Sequence, residues 1–320
     1  MIWQIFASYD ILPHMNILVT GGAGFIASNI VDAYVAQGHR VTVVDNMWHG
    51  FKRNLNPKAK FVKADIRNLT AMRRVVKQTR PAIINHHAAI AEVVRSVTDP
   101  LSTIEVNVQG TINLLLAGGE FGIKKFIFAS TGGAIYGEAK QRPTSETVVP
   151  QPLSPYGLSK LLGEECISYY ARMYGFDYFI FRYPNVYGPR QDPHGEAGVV
   201  AIFSELLSSN HTATIFGTGK KTRDYVYVKD IVRANLLALR KGNNVTVNLG
   251  RGVEISDLAV YQTIKRHFPK APAVRYKKVR AGEVMRSCLN AKRAKAVLGW
   301  QPQWTFKAGV ANYLATMSYV

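Results

Sequence analysis

Acidic side chains, cysteine and long apolar runs are all scarce in this 320-residue chain, and each shortage removes a class of protein. Two cysteines, Cys166 and Cys288, build no disulfide framework and have no metal-ligand spacing, which fits a reducing compartment. No apolar run reaches the roughly 18 residues that a bilayer crossing needs, so no membrane partner is expected. The opening Met1–Ala7 stretch lacks a basic flank, and Asp10, Pro13 and His14 interrupt it before any cleavage-site pattern. The expectation is a cytoplasmic protein in which residues 1–14 are an extension upstream of the first structural unit. Charged residues make up 19% and hydrophobic residues 47%, a mix that excludes disordered and low-complexity classes. Lys plus Arg total 40 against 21 for Asp plus Glu, a formal charge of +19. An excess of that size suits an anionic partner such as a nucleotide, a nucleic acid or a membrane surface.

What the chain does have is a repeated alternation. Asn16–Thr20, Val41–Asp45, Phe61–Asp65, Ala82–His86, Lys125–Ser130 and Tyr178–Arg182 read as short strands. Helical segments lie between them, notably Phe25–Gln37, Pro100–Phe121 and Pro155–Tyr174. That order predicts an α/β fold, a doubly wound parallel sheet. After Pro184 the segments become short and mixed. The expected division is 15–184 for a dinucleotide-binding domain and 185–320 for a smaller C-terminal α+β substrate domain. Segments near 225–250 are expected to return to the large sheet.

Gly21-Gly22-Ala23-Gly24 joins the first strand to the first helix. Gly21 suits a tight turn, Gly24 lets backbone approach a pyrophosphate, and the following helix N-terminus offers free N–H groups. Asp45 ends the second strand about 20 residues after Gly24, where a carboxylate accepts from ribose hydroxyls and repels a 2′-phosphate; this predicts NAD rather than NADP. Asp65 and Ile66 end the third strand at the depth of an adenine ring. Further on, Ser154-Pro155 reads as a helix start, with Tyr156 and Lys160 one turn apart on one face. An ammonium beside a phenol is expected to lower the phenol's pKa, so that it takes a proton from a substrate hydroxyl. His86 and His87 read as packed imidazoles, and no metal is expected. The basic run Arg275–Arg280 reads as a solvated strand or loop, so a nucleic-acid partner is not the preferred reading.

From Asn16 onward the chain resembles the extended short-chain dehydrogenases, and within them the UDP-glucose 4-epimerase-type branch of the NAD-dependent epimerase/dehydratases. The residues that carry the resemblance are Gly21–Ile26, Asp45-Asn46, Asp65-Ile66-Arg67, His86–Ala89, Asn107 with Gly110-Thr111, Tyr156–Lys160, Arg182–Arg190 and Thr222–Val228. The resemblance implies a Rossmann-type fold and bound NAD. It places Phe25, Ile26, Asn46, Ala88, Ala89, Asn107, Ser130 and Tyr183 along the cofactor, with Tyr156 and Lys160 at its reactive end. It places Asn185, Arg223, Arg280 and Glu283 against a UDP-sugar, and it implies a homodimer built on helices Pro100–Phe121 and Pro155–Tyr174. Many relatives carry Ser or Thr four residues before a Tyr-Gly pair. Here that position is Gly132, while alignment from the fifth strand selects Thr131, with Ser130 a further alternative. Related dehydratases carry an Asp-Glu pair where this chain has Gly133 and Ala134, which argues against water elimination. The activity implied is NAD-dependent 4-epimerisation of a UDP-sugar through a 4-keto intermediate. The alternatives are an epimerase or reductase on another nucleotide sugar, such as a uronic acid or N-acetyl form, and a non-catalytic dinucleotide sensor.

Overall fold

In the computed structural model, which describes residues 14–194, 198–278 and 284–317, seven short strands lie parallel in one sheet. They are β1 (Asn16–Thr20), β2 (Arg40–Asp45), β3 (Lys60–Lys63), β4 (Ile83–His86), β5 (Lys125–Thr131), β6 (Asp177–Tyr183) and β10 (Val245–Asn248), in the order β10-β6-β5-β4-β1-β2-β3. β4 and β5 are buried along their whole length, and β1 on all but its first residue. That is why they read as unbroken β-rich runs rather than alternating ones. Connecting helices cover both faces. Ile30, Val31 and Tyr34 of α1 (Phe25–Ala36) share one apolar core with Ile231 and Ala234 of α8 (Val228–Ala238). On the other face, Met72 and Val76 of α2 (Leu69–Thr79), Leu114 of α5 (Gly110–Glu120) and Ile167 of α6 (Pro155–Tyr174) pack over Phe126 and Phe128.

The chain runs from β1 outward to β2 and β3, then crosses back to β4 on the other side of β1 and continues to β5 and β6. The carboxyl ends of β1 and β4 therefore bound the crevice where strand order reverses, which is where open α/β sheets take their ligands.

The segment expected to be one helix from Pro100 is interrupted. After α3 (Val93–Thr98), α4 (Pro100–Ile104) opens into a π turn at Glu105–Gln109 before α5 resumes. The wide turn sits where the Asn107 amide leaves the helix to bond Ile90 and Ser159. A side chain drawn off the regular ladder is a common origin of such a bulge.

Much of the later chain packs around a further apolar cluster. It holds a three-stranded sheet of β7 (Asn185–Tyr187), β9 (Thr222–Tyr227) and β11 (Glu254–Ser256), and a two-stranded one of β8 (Thr214–Phe216) and β12 (Arg275–Lys277). Around them pack α7 (Val199–Ser208), α9 (Asp257–Lys265) and α11 (Phe306–Thr316). Of the two segments expected to rejoin the large sheet, Val245–Asn248 does, against β6. Tyr225–Tyr227 does not: it pairs with β7, while the preceding Thr222–Asp224 pairs with β11. α10 (Lys292–Leu298) leads to Trp300, a fully buried indole that donates to the Asp230 carbonyl at 2.9 Å and pins the late chain against α8. Among the described residues, no helix is long and apolar enough to cross a membrane.

Candidate active site

Gly21 turns the chain at φ +69°, and a Cβ there would lie 2.7 Å from the Ala88 nitrogen. Only glycine allows both the left-handed backbone and that approach. Gly24 then starts α1 in extended backbone with no side chain over its first amides, leaving them open to an anion. Asp45 is buried at the end of β2. Its carboxylate accepts from the Ala23 amide at 3.1 Å and the Met47 amide at 2.8 Å, so it clamps the glycine turn and keeps further lone pairs for a hydroxyl. Next along the sheet edge, Asp65 is held at about 2 by the Arg67 guanidinium, with Asn46 donating to it at 3.2 Å. Ile66 is buried beneath the π turn, in space that a side chain at Gly110 would fill. Across the crevice, Thr20 Oγ1 accepts from the amides of His87 and Ala88 and fixes the Ala88-Ala89 rim. The left-handed turn, the open helix N-terminus and the strand-end carboxylate together fit a dinucleotide with free ribose hydroxyls.

The reactive end lies past β5. Ser154 caps α6 by accepting from the Gly157 amide at 3.1 Å, Pro155 occupies the first turn, and Tyr156 and Lys160 follow on one face. The Thr131 hydroxyl lies beside the Tyr156 phenol and lowers its pKa against the effect of burial. That decides between the two alignments. A Cβ on Gly132 would run into Leu289 Cδ1 at 2.3 Å, so position 132 points into packing. The third alternative, Ser130, is committed elsewhere: its hydroxyl donates to Glu164 at 2.5 Å. The Cβ position of Gly133 stands 3.7 Å from Asn185 Oδ1 and 3.9 Å from Thr131 Oγ1, so any side chain at 133 would enter the site. Glycine there leaves it without the acid that a dehydration would place.

The electrostatics differ from the expectation that Lys160 lowers the phenol. Burial pushes Tyr156 up to about 12, and the lowering influence on it is the Thr131 hydrogen bond. Lys160 is itself pushed down to about 7 by burial, with Glu164 one turn further along opposing the fall. The reason is placement: Lys160 Nζ sits over the Phe128 ring and donates to the Ala129 carbonyl at 2.9 Å, with its side chain buried.

Other expected residues are engaged within the protein. The Asn107 amide is engaged throughout, accepting from the Ile90 amide and donating to the Ile90 carbonyl and Ser159 Oγ, so it fixes the rim loop to α6. The Tyr183 phenol accepts from Asn235 at 2.9 Å, and its ring stacks on His87. His86 is buried between the Thr20 and Thr111 hydroxyls, and burial lowers both imidazoles well below their usual range. Arg223 donates to its neighbour Thr222's carbonyl from the start of β9. Arg280 and Glu283 lie outside the described residues. Glu164 went unnoticed in the sequence. It pairs in fork geometry with Arg182, whose guanidinium also donates to Tyr136 at 2.7 Å. Its signal was a carboxylate one further helical turn beyond Tyr156 and Lys160. Among the described residues, no group of three or more His, Cys, Asp or Glu side chains is placed to hold a metal ion.

The profile of the NAD dependent epimerase/dehydratase family matches residues 17–250. The chain belongs to that family. A UDP-glucose 4-epimerase from Mycolicibacterium smegmatis is 42% identical over 306 residues, covering 93% of this chain and 97% of that protein. The Thermotoga maritima UDP-glucose 4-epimerase, solved with UDP-glucose, superposes with a TM-score of 0.93 at 45% identity, over 94% of this chain and 98% of that one. The Thermus thermophilus UDP-glucose 4-epimerase, solved with NAD, gives 0.90 at 41% identity over the same shares. NAD is the cofactor of this epimerase/dehydratase chain, and the clamp of Asp45 on the glycine turn is where its own residues meet that requirement.

Proposed function

We propose that this chain interconverts a UDP-sugar with its 4-epimer, of the UDP-glucose/UDP-galactose type, through a 4-keto intermediate. The reading rests on one observation above all: α6 carries Tyr156 and Lys160 one turn apart, with Lys160 bonded to the Ala129 carbonyl of β5 and the Thr131 hydroxyl at the end of that strand acting on the Tyr156 phenol. The likeness to UDP-glucose 4-epimerases over nearly the whole chain supports the substrate class.

NAD supplies a hydride acceptor, and in its oxidised state a positive charge that favours phenolate beside it. The remaining steps belong to side chains. Tyr156 takes the proton of the sugar 4-hydroxyl and returns it after the keto sugar has turned. Thr131 donates to the phenol oxygen and so stabilises the form that has lost its proton. Lys160, which burial brings down to about 7, would help to hold the cofactor and adds its charge to the same region. Asn185 and Arg223, with Arg280 and Glu283, bind the nucleotide end, where guanidinium forks suit diphosphate oxygens. Residues 15–184 with β10 hold the cofactor, and most of 185–320 holds the sugar nucleotide. Both cysteines are free thiols, which suits a cytoplasmic setting.

We also propose that the enzyme is a homodimer. Val94, Val97 and Leu101 on α3 and α4, with Leu158, Leu162, Tyr169 and Met173 on α6, are large apolar side chains left exposed. Helices with this much exposed apolar surface suit a second copy packed face to face.

Incubation with UDP-galactose should yield UDP-glucose without net consumption of added NADH; a reductase would consume it in step with product. Tyr156→Phe should keep NAD bound while losing at least about 100-fold in turnover. Near-normal turnover in that variant would refute the role.

A further inference from the structure

We propose that a second anion site, built for phosphate or a phosphate monoester, lies outside the catalytic crevice, between the Lys140–Pro143 loop and the segment from Arg286 to Cys288. A cavity of about 230 Å³ opens there, lined by Lys140, Arg142, Pro143, Gly252, Glu254, Arg286 and Cys288. Three cations face one carboxylate. That carboxylate is already engaged, because Glu254 accepts from Arg286 Nε at 2.9 Å and from the Thr222 hydroxyl at 2.7 Å. Salt bridging with Arg286 holds it at about 2, so it stays paired at every working pH.

Arg142 is the residue that points to a ligand. Its Nη1 donates to the Ala139 carbonyl, but its Nε is buried and meets no hydrogen-bond partner. Arg142 lines the cavity, so an oxyanion held there would give its guanidinium, short of acceptors in the fold, a charge-assisted partner. Lys140 is exposed at the mouth of the same cavity and has no ion-pair partner among the described residues. Cys288 contributes a neutral wall, since burial pushes its thiol up to about 12. The cavity is large enough for a free phosphate and for one carrying a small organic group.

None of the cavity's lining residues is one assigned above to the cofactor or the sugar nucleotide, yet its walls are joined to that end of the molecule. The segment on one side of the cavity pairs with β9, Thr222 donating to Met285 O at 3.0 Å and Ser287 to Thr222 O at 3.3 Å, immediately before Arg223. On its other side Thr144 donates to Cys288 O at 2.8 Å. An anion held by Lys140, Arg142 and Arg286 therefore ties two loops together beside the sugar-nucleotide end.

The test is calorimetric titration of the NAD-loaded full chain with inorganic phosphate and, separately, with glucose 1-phosphate, at fixed ionic strength in chloride. Saturable binding of one anion per chain is expected. Lys140→Ala and Arg142→Ala should each weaken it by about tenfold or more, and Arg223→Ala should leave it unchanged. Phosphate alone binding would make free phosphate the ligand, and tighter binding of the monoester would make it a phosphorylated metabolite; either supports the site. Lys140 is exposed, so its variant keeps the test valid should Arg142→Ala fold poorly. Absence of saturable binding, affinity unaltered in Lys140→Ala, or loss of binding in Arg223→Ala overturns the proposal.

Discussion

Replacing Thr131 with valine tests the site's geometry at a single atom. Valine keeps the shape of the buried threonine and removes the hydroxyl that acts on the Tyr156 phenol. A hydrogen bond to a charged group contributes about 1.5–3 kcal/mol. If it is strongest when the phenol has lost its proton, turnover should fall about 10- to 150-fold. The same energy should move the alkaline-favoured limb of the rate profile up by about one to two pH units. Thr131 Oγ1 also accepts from the Ala134 amide at 3.2 Å, so the variant should lose about 1 kcal/mol of stability as well. Thr131→Ser keeps both bonds and should stay close to wild type. Gly132→Ser places a hydroxyl at the position suggested by the alternative alignment, but its Cβ would overlap Leu289 Cδ1. It should destabilise by about 1–3 kcal/mol through overpacking and fail to rescue Thr131→Val. The assay is the initial rate of UDP-galactose conversion, coupled to a UDP-glucose dehydrogenase, across pH 6–10. Wild-type turnover with an unshifted profile in Thr131→Val, or rescue by Gly132→Ser, would refute the reasoning.

Other consequences are open to direct measurement. Asp45→Ala removes the acceptor for the Ala23 and Met47 amides, so NAD affinity should fall by at least about tenfold in a calorimetric titration. Asp224 is buried and raised to about 6 from 3.8, although it accepts from Arg251, Gly252 and Leu289 amides. A raised folded value means that its contribution is greatest below the unfolded value and is lost as pH climbs through about 6. Relative to Asp224→Asn, the wild type should therefore gain Tm as pH falls from 7 to 5 in scanning calorimetry; a flat difference refutes the assignment. Leu101→Arg with Leu162→Arg puts charge on the exposed apolar run of α4 and α6, and light scattering should then report a monomer; an unchanged dimer places the interface elsewhere.

The large sheet was legible because its strands are buried runs and its helices are punctuated by Ser154, Pro155 and glycine stops, all local signals. The glycine turn and the Tyr156–Lys160 spacing were legible for the same reason: both depend on residues within one or two turns of each other. What was not legible depends on contacts distant in the chain. Position 132 could be separated from 131 only by Leu289, which lies at the far end of the sequence. The π turn at Asn107 is set by Ile90 and Ser159, on two other segments. The direction of the Tyr156 shift depends on how dry the site is, a property of the whole fold. Glu164 and Arg182 look like ordinary surface charges in sequence, and only burial reveals them as a pair. Breaking one partner of such a pair costs about 3–5 kcal/mol.

The parallel sheet is closed at one edge by β10, which joins β6 only after more than sixty intervening residues have built their own sheets and helices. During synthesis the Rossmann-type unit must therefore wait with the flank of β6 uncovered until residue 248 has left the ribosome. Pairing across so long a separation is slow, and an uncovered strand invites other chains. Expression yield should depend on what shields that flank in the interval, and a chain truncated after residue 184 should precipitate rather than fold as a small nucleotide-binding module.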